Sequence, residues 1–497
     1  MSTSTPRTYG YWSIPKSRGV MGLGSWGTVA LFGGLILLVI TLVTKGVIAG
    51  LIVAVVFTAF LRGLTLKDTH GRSYAARAST RVGWWRTKLS GSHLYRSGPL
   101  GAIPWTRFML PGLGAALSVA EYRDSYDRPF VVVGSKSTHS YSVVLSSSPD
   151  GQSLVDADVT DTRVAYYGTW LAALSDEPTL KGAAVTIETA PDTGHRLRRQ
   201  VVPRRDPDAP ALAQAVMGEA VERFPAGASP VQATIALTFD SRPRPGAKDR
   251  SPDEMAQVIA SSIPNMTLLL EAAGAGRVTP VDEATLAERV RCAYDPAAAS
   301  LIEDAHEAGE PVELAWHDAG PVAHEAHWDG YRHDGAYSVT SAMSKPPRGE
   351  VQHSLLSRLL APHKDIARKR VTLLYRPIDP ATAAQVVDQD LDTAVFLNAS
   401  TGGSARGRIA ERAAEATAAA EAKGAGLENF ALIVTATVTD LTRIDDARTA
   451  LRNMSAAARV QTRVLFGSQD SAFIAGLGLG VILREHLAVP ADFGAKL

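Results

Sequence analysis

The sequence has a single cysteine, Cys292, among its 497 residues. A disulfide framework and a cysteine-based zinc site each need more than one thiol, so neither can form within one chain. The sequence also lacks a G-x-x-x-x-G-K-[ST] loop, whose amides and lysine would hold nucleotide phosphates. Its nearest approximation, Gly134-Ser-Lys-Ser137, has no glycine before the lysine. These absences argue against a disulfide-stabilised fold and against P-loop nucleotide hydrolysis.

Other enzyme signatures are missing or misplaced. There is no G-x-S-x-G nucleophile motif, and a G-x-G-x-x-G match at Gly22–Gly27 opens an apolar run instead of following a strand. One histidine-rich region could hold a metal in a membrane-tethered hydrolase, although His324 and His327 lack the i, i+4 spacing of H-E-x-x-H. The alternative is a polar loop or helix end, and we expect no enzyme activity and no cofactor. The candidate ligands are His317, His324, His327 and His333.

Acidic residues are almost absent from the first 107 positions. Thirteen lysines and arginines face the single acid Asp68, which gives this stretch a charge of +12. Because the whole chain has a formal charge of +1, residues 108–497 carry −11. A basic N-terminal segment followed by an acidic body is a pattern typical of a protein held at an anionic membrane surface.

Two apolar runs lie within residues 1–66. The run Trp26–Val43 is long enough to cross a hydrocarbon core of about 30 Å, and Val47–Leu61 follows after a short break at Lys45. We predict a transmembrane hairpin here. A signal peptide, or one span followed by an interfacial helix, is the alternative. Basic residues flank both outer ends, so the N-terminus and the large C-terminal region should be cytoplasmic and the protein a multi-pass protein of the plasma membrane.

Residues 67–107 form a basic juxtamembrane segment. Apolar side chains recur at helical spacing at Tyr74, Ala78, Val82, Trp85 and Leu89. This pattern predicts an amphipathic helix, either on the membrane surface or packed on the domain behind it. The residues expected at the membrane interface are Arg62, Lys67, Arg77, Arg81, Trp84, Trp85 and Arg86.

The remaining chain alternates β-rich and helical runs, which predicts an α+β fold with domains of ferredoxin-like type. We place a first α/β domain at 108–245, a helical segment at 246–310 and a second α/β domain at 311–497. No internal repeat is visible in the sequence. Two basic runs, at 196–205 and 364–376, could contact nucleic acid, but without interleaved aromatic residues solvated faces or protein contacts are favoured.

Several segments resemble an actinobacterial membrane-protein family associated with conjugation. They are the hairpin, Trp84–Gly101, Glu188–Gly194, Ala361–Pro377 and Gly467–Gly480. In that family a two-helix membrane segment is fused to a region similar to the non-motor, N-terminal part of type IV secretion ATPases.

The resemblance implies a structural anchor and docking subunit of a DNA-transfer apparatus. Such a subunit would recruit a separate motor ATPase and form a homo-oligomer within a larger complex. A component of a type VII secretion membrane complex is the alternative. The residues expected to bind the partner are Arg368, Lys369, Arg370, Tyr375, Arg376, Gln469 and Phe473.

Overall fold

The helices of the protein include two long apolar ones at the N-terminus. The computed structural model describes residues 7–10, 12, 24–66, 68–101, 107–149, 155–190, 201, 203, 206, 208–223, 231–244, 246–347 and 349–486. The described α-helices are α1 (Gly24–Lys45), α2 (Val47–Thr65), α3 (Tyr74–Leu89), α4 (Ala157–Asp176), α5 (Ala211–Arg223), α6 (Pro252–Leu270), α7 (Glu283–Tyr294), α8 (Ala298–Ala308), α9 (Ser357–Leu360), α10 (Pro380–Ser400), α11 (Ala405–Glu421), α12 (Ile444–Ala457) and α13 (Gln469–Ala475).

All described strands belong to one mixed-length sheet in which every pairing is antiparallel. Its order is β1-β8-β9-β10-β12-β11-β5-β6-β4-β3-β2, with β13 beside β10 and β7 beside β4. The strands are β1 (Leu94–Arg96), β2 (Leu117–Arg123), β3 (Pro129–Ser135), β4 (Ser140–Ser148), β5 (Leu180–Thr189), β6 (Val231–Asp240), β7 (Arg277–Pro280), β8 (Ala323–Ala326), β9 (Tyr331–His333), β10 (Ala336–Lys345), β11 (Arg368–Pro377), β12 (Glu428–Val438) and β13 (Gln461–Val464).

Two groups of four strands in this sheet have the same connectivity. Strands β4, β5, β6 and β7, with helices α4 and α6 between them, form a β-α-β-β-α-β unit of spatial order β7-β4-β6-β5. Strands β10, β11, β12 and β13, with α9 and α12, form a second unit of order β13-β10-β12-β11. The connectivity is that of a ferredoxin-like unit. The expected mixed α/β architecture is confirmed, and the two units share one continuous sheet.

The two units meet at a pseudo-twofold axis between β5 and β11. In the first unit Ser142 lies opposite Thr238, and Thr234, four residues earlier, lies opposite Thr186. In the second, Ser338 lies opposite Thr437, and Ile433, four residues earlier, lies opposite Thr372. The equivalent residues Thr186 and Thr372 pair directly, with their hydroxyl oxygens 3.0 Å apart.

One face of the sheet is covered by helices from both units. On the first unit α4 and α6 bury Trp170, Met255 and Ile259 against the strands, and on the second α12 buries Leu451. Helix α6 starts with a capping box, in which Ser251 and Glu254 bond each other's backbone amides. Apolar residues at helical spacing therefore supply this layer, as the sequence predicts.

The opposite face carries a band of hydroxyl side chains across its centre. We call it the hydroxyl row. Because buried hydroxyls rarely lack a hydrogen-bond partner, most of them bond one another or the backbone of the segment above. That segment, residues 469–481, is named the C-terminal strap. The members of the row are Ser142, Thr186, Thr234, Thr238, Ser338, Thr340, Thr372, Thr435 and Thr437.

Glycines let the C-terminal strap lie flat on the hydroxyl row. A Cβ atom on Gly480 would stand 2.2 Å from the hydroxyl oxygen of Ser142 and 2.5 Å from that of Thr238. Gly480 also has a φ of 77°, which L side chains avoid. The Thr238 hydroxyl donates to the Gly480 carbonyl at 2.9 Å, so the close approach is a bonded contact.

Candidate membrane and docking surfaces

Helices α1 and α2 pack chiefly on each other and present apolar residues outward. Gly34 of α1 makes room for the ring of Phe57, and the buried Gly50 of α2 lies against Leu42. The small residues of the second run are thus used within the hairpin. Most other large residues of both helices are more than half exposed, Val43 and Ile48 among them. A helix that is apolar on all sides needs either a protein core or lipid around it.

Among the described helices, the one that meets the length and hydropathy criteria for a membrane span is neither α1 nor α2. Among the described residues, one helix meets both requirements for a membrane span, Pro252–Ala275, while Leu31–Lys45 and Val47–Gly63 are shorter apolar helices. The first belongs to the core, because Met255, Ile259 and Ile263 form a fully buried stripe against the sheet. The two-span hairpin stays a prediction.

The segment before the hairpin is bound to the body that follows it. Tyr9 and Val351 exchange two backbone hydrogen bonds of 2.8 Å. The Tyr9 hydroxyl donates to Asp161 of α4 at 3.0 Å, and the Thr8 hydroxyl donates to Glu350 at 2.7 Å. Residues before the hairpin therefore contact residues after it at one surface of the body.

Helix α3 is fixed to the body by one of its faces. Trp84 packs edge to face on His93 and beside Trp328, with ring centroids 6.3 and 6.1 Å away. The Arg81 guanidinium lies 5.5 Å above the Trp328 ring. The Lys345 ammonium donates to the carbonyl of Thr69, just before the helix, at 3.1 Å. Trp84 and Arg81, both expected at the membrane interface, contact the body, and Arg81 remains exposed.

The predicted apolar stripe lies on the other side of α3 and is exposed. Trp85 is 67% exposed and Leu89 is 87% exposed. Tyr74 and Val82 complete the stripe, and Arg77 and Arg86 flank it on the helix surface. The stripe therefore does not pack on the domain, which α3 contacts through another face, and the contact of the stripe with a membrane stays a prediction.

The predicted partner residues of β11 are largely interior. Lys369 and Arg370 are 1% and 3% exposed. Arg368 pairs with Glu188 on the neighbouring strand, and the Arg370 guanidinium lies 3.6 Å from the same carboxylate. Lys369 donates to the carbonyl of Ala361, and burial lowers its pKa to about 8. Arg368, Lys369 and Arg370 are therefore interior residues, whereas Lys364 of the same basic run is exposed.

Tyr375 and Arg376 end the same strand in half-buried positions. The Tyr167 hydroxyl of α4 donates to that of Tyr375 at 2.9 Å, and burial raises the Tyr375 pKa to about 12. Burial lowers the pKa of Arg376. The Tyr375 side chain thus joins β11 to α4.

Gln469 and Phe473 fix the C-terminal strap to the sheet. The Gln469 side chain accepts from the amide of Thr340 at 2.8 Å and donates to its carbonyl at 3.0 Å. Phe473 is fully buried, with the Arg370 guanidinium 4.5 Å above its ring. A docking surface on these residues stays a prediction, but it would require the strap to leave the core.

The histidine-rich region forms part of the core and of its edge. His324 and His333 lie opposite each other on β8 and β9. His333 donates from Nδ1 to the Tyr294 carbonyl, so its Nε2 accepts from the Ser338 hydroxyl at 2.8 Å. Burial lowers the His333 pKa to about 3. Both ring nitrogens are occupied, and among the described residues no group of three or more possible ligands could hold a metal.

Some predicted features lie outside the described residues. These are Lys67 and the five arginines of the run at 196–205. Arg62 lies in the last turn of α2, where its side chain is exposed.

The sequence predicts helices at Pro380–Asp392 and Ile409–Ala422, and the structure confirms both as parts of α10 and α11. With the turn between them, these two helices form what we call the helical finger. The finger is inserted between β11 and β12, which are themselves neighbours in the sheet. Its helices pack mainly on each other, and α11 has no buried residue. Phe396 and Ile409 near its tip are 70% and 63% exposed.

Comparison with known proteins adds a match over the hairpin. A family model described as a domain of unknown function, DUF8461, matches residues 16–75, which contain α1, α2 and the first residues of α3. No protein with a curated description matches the chain.

Proposed function

We propose that this protein is a non-catalytic subunit anchored in the plasma membrane by α1 and α2, with its sheet domain on the cytoplasmic side. The observation that carries the proposal is the apolar outer surface of a helical pair that has no protein core around it. Helix α1 is about 33 Å long and α2 about 28 Å, close to the thickness of a hydrocarbon core.

Two further contacts support the same arrangement. The bond between Tyr9 and Val351 places chain from both ends of the hairpin together, as an even number of spans requires. The exposed stripe of α3, with Trp85 and flanking arginines, suits the boundary of an anionic leaflet. Since the packed face of α3 is bonded to the body, contact with lipid would also orient the sheet domain.

The test is fractionation and topology mapping of the full chain. The protein should remain in membranes after carbonate extraction, and reporters at Met1 and Leu497 that work only in the cytoplasm should both be active. Release by carbonate would refute the anchor. Activity of a reporter that works only outside the membrane, at either end, would refute the orientation.

We also propose that the body recruits a separate motor ATPase of a conjugative, type IV secretion-like apparatus. This step rests on the resemblance of Ala361–Pro377 and Gly467–Gly480. Tethering would raise the effective concentration of a weakly bound partner at the membrane. The docking surface must include residues outside these segments, because their central side chains are buried.

Recruitment can be tested in cells of the natural host. The ATPase should move from the membrane to the soluble fraction when the gene for this protein is deleted, and return when the full chain is restored. A protein truncated before Pro311 cannot be used to locate the docking surface, because the truncation removes β11, the partner of β5 in the sheet. An unchanged distribution of the ATPase after deletion would refute recruitment.

A further inference from the structure

The helical finger is acidic on α10 and basic at the start of α11, although α11 as a whole also contains three glutamates. Helix α10 contains three aspartates and no basic residue. The first eight residues of α11 contain three arginines. The groups are Asp388, Asp390 and Asp392 on α10, and Arg406, Arg408 and Arg412 on α11. No ion pair between α10 and α11 joins these groups in the described chain, and all of them except the half-buried Asp390 are exposed.

The two exposed apolar residues of the finger lie on opposite flanks. The side-chain amide of Asn398 donates to Glu411, and Gly407 lies against the backbone of Asn398, which defines the faces in contact. Phe396 and Ile409 each stand two residues, or about 200°, from such a contact position. Phe396 therefore points away from α11, and Ile409 points away from α10.

Each flank combines its apolar residue with a charge of one sign. Asp392 lies one helical turn from Phe396, and Arg412 lies three residues from Ile409, so each pair shares a face. Because Asn398 lies level with the stretch between Gly407 and Glu411, Phe396 and Ile409 differ by only about 3 Å in height along the finger. Asp392 and Arg412 differ by about 4.5 Å, within the reach of an arginine side chain.

We infer that the finger binds a second copy of this chain, the acidic α10 flank of one copy meeting the basic α11 flank of the next. Fingers standing side by side match Phe396 to Ile409 and Asp392 to Arg412. The flanks differ and lie on opposite sides, so the contact is head to tail and leaves a free flank on each end copy. Such heterologous contacts produce rings or rows, not closed dimers.

The inference rests on the proposed membrane anchor, because a single helical flank buries too little surface for a stable soluble complex. Copies held in one membrane by α1 and α2 meet at high effective concentration with their fingers pointing the same way. The alanines of α11, including Ala405, Ala416 and Ala420, leave room for the neighbouring helix to approach.

Cysteine cross-linking of the full chain in native membrane vesicles tests the contact. A Phe396→Cys/Ile409→Cys variant should give a ladder of products beyond the dimer on oxidation, and each single variant should give little product. The native thiol of Cys292 interferes little, because it is buried and burial raises its pKa to about 11. A Leu301→Cys/Ile409→Cys variant is the matched control, since Leu301 is 70% exposed on α8, and should give no ladder.

Charge reversal supplies the second arm. In the double-cysteine background, Asp392→Arg or Arg412→Asp should each reduce the ladder at least fivefold, and the two together should restore it. Dimers from Phe396→Cys alone, or a variant protein that floats with the vesicles but gives no ladder, would overturn the inference while leaving the anchor intact. Failure of the protein to float would instead refute the proposed function.

Discussion

Replacing Gly480 by alanine should destabilise the protein far more than the same change at another left-handed glycine. Gly424 is the matched control, since its φ is 87° and a Cβ atom there would meet nothing within 4 Å. A positive φ costs an L residue about 1–2 kcal/mol at either position. At Gly480 the new methyl group also overlaps Ser142 and Thr238, and overpacking of this kind adds about 1–3 kcal/mol.

We therefore expect a loss of about 2–5 kcal/mol in the free energy of unfolding for Gly480→Ala and about 1–2 kcal/mol for Gly424→Ala. Urea unfolding of the full chain in detergent, followed by tryptophan fluorescence, measures both. The carbonyl of Gly480 also accepts from Thr238, so a displaced strap leaves a buried hydroxyl unpaired. Equal losses in the two variants would show that the strap does not lie against the hydroxyl row.

Three further changes test the interior and α3. Glu188→Gln should cost about 3–5 kcal/mol, because it leaves Arg368 and Arg370 buried without a counterion, whereas the exposed control Glu310→Gln should cost almost nothing. Burial acts to raise the Glu188 pKa, but the two arginines bring it below 4.5, so the stability this group supplies should be present above pH 4.5 and lost as the pH falls through the lowered value. Burial raises the Glu428 pKa to about 8, so the stability that the protonated carboxyl supplies should be lost as the pH rises from 4.5 through 8. The Glu428→Gln variant should not show this loss. In urea unfolding it should be more stable than the native protein at pH 9 and show no such gain at pH 5. Trp84→Ala should cost about 2 kcal/mol and the exposed Trp85→Ala less than about 0.5 kcal/mol in the same assay, and the reverse order would contradict the orientation of α3.

Long apolar strands and amphipathic helices could be predicted from the sequence. The runs Val231–Phe239 and Phe430–Val438 are rich in β-branched residues and predict strands, and β6 and β12 begin and end within two residues of these bounds. The short strands β8 and β9 were missed because they read AHEA and YRH, in which few residues favour a strand. Their pairing is decided by buried neighbours from distant parts of the chain.

The internal repeat could not be read from the sequence because pairing, not side-chain identity, is repeated. Thr234 in the first unit corresponds to Ile433 in the second, and only the register of the sheet reveals this. The residue at a strand position is constrained by the face of the sheet on which it lies and by its neighbours, and many residue types satisfy these constraints.

The basic run on β11 was misleading for a related reason. Lys369 and Arg370 look like surface charges in sequence, yet the carboxylate beside Arg370 comes from Glu188, 182 residues earlier. The alternation of polar and apolar residues along a strand cannot indicate an ion-pair partner so far away in the sequence. The apolar stripe of α3, in contrast, was predicted from local spacing alone.

The pairing of β5 with β11 has a consequence during protein synthesis. Strand β5 ends at Thr189, and β11 begins only at Arg368. At 5–20 residues per second, the ribosome needs roughly 10–35 s to make the chain between them. During that time the edge of β5 has no neighbour, and an unpaired apolar edge strand is a site of aggregation. Nascent chains interrupted in this interval should need chaperone protection, since the hairpin would already hold them at the membrane in close proximity to one another.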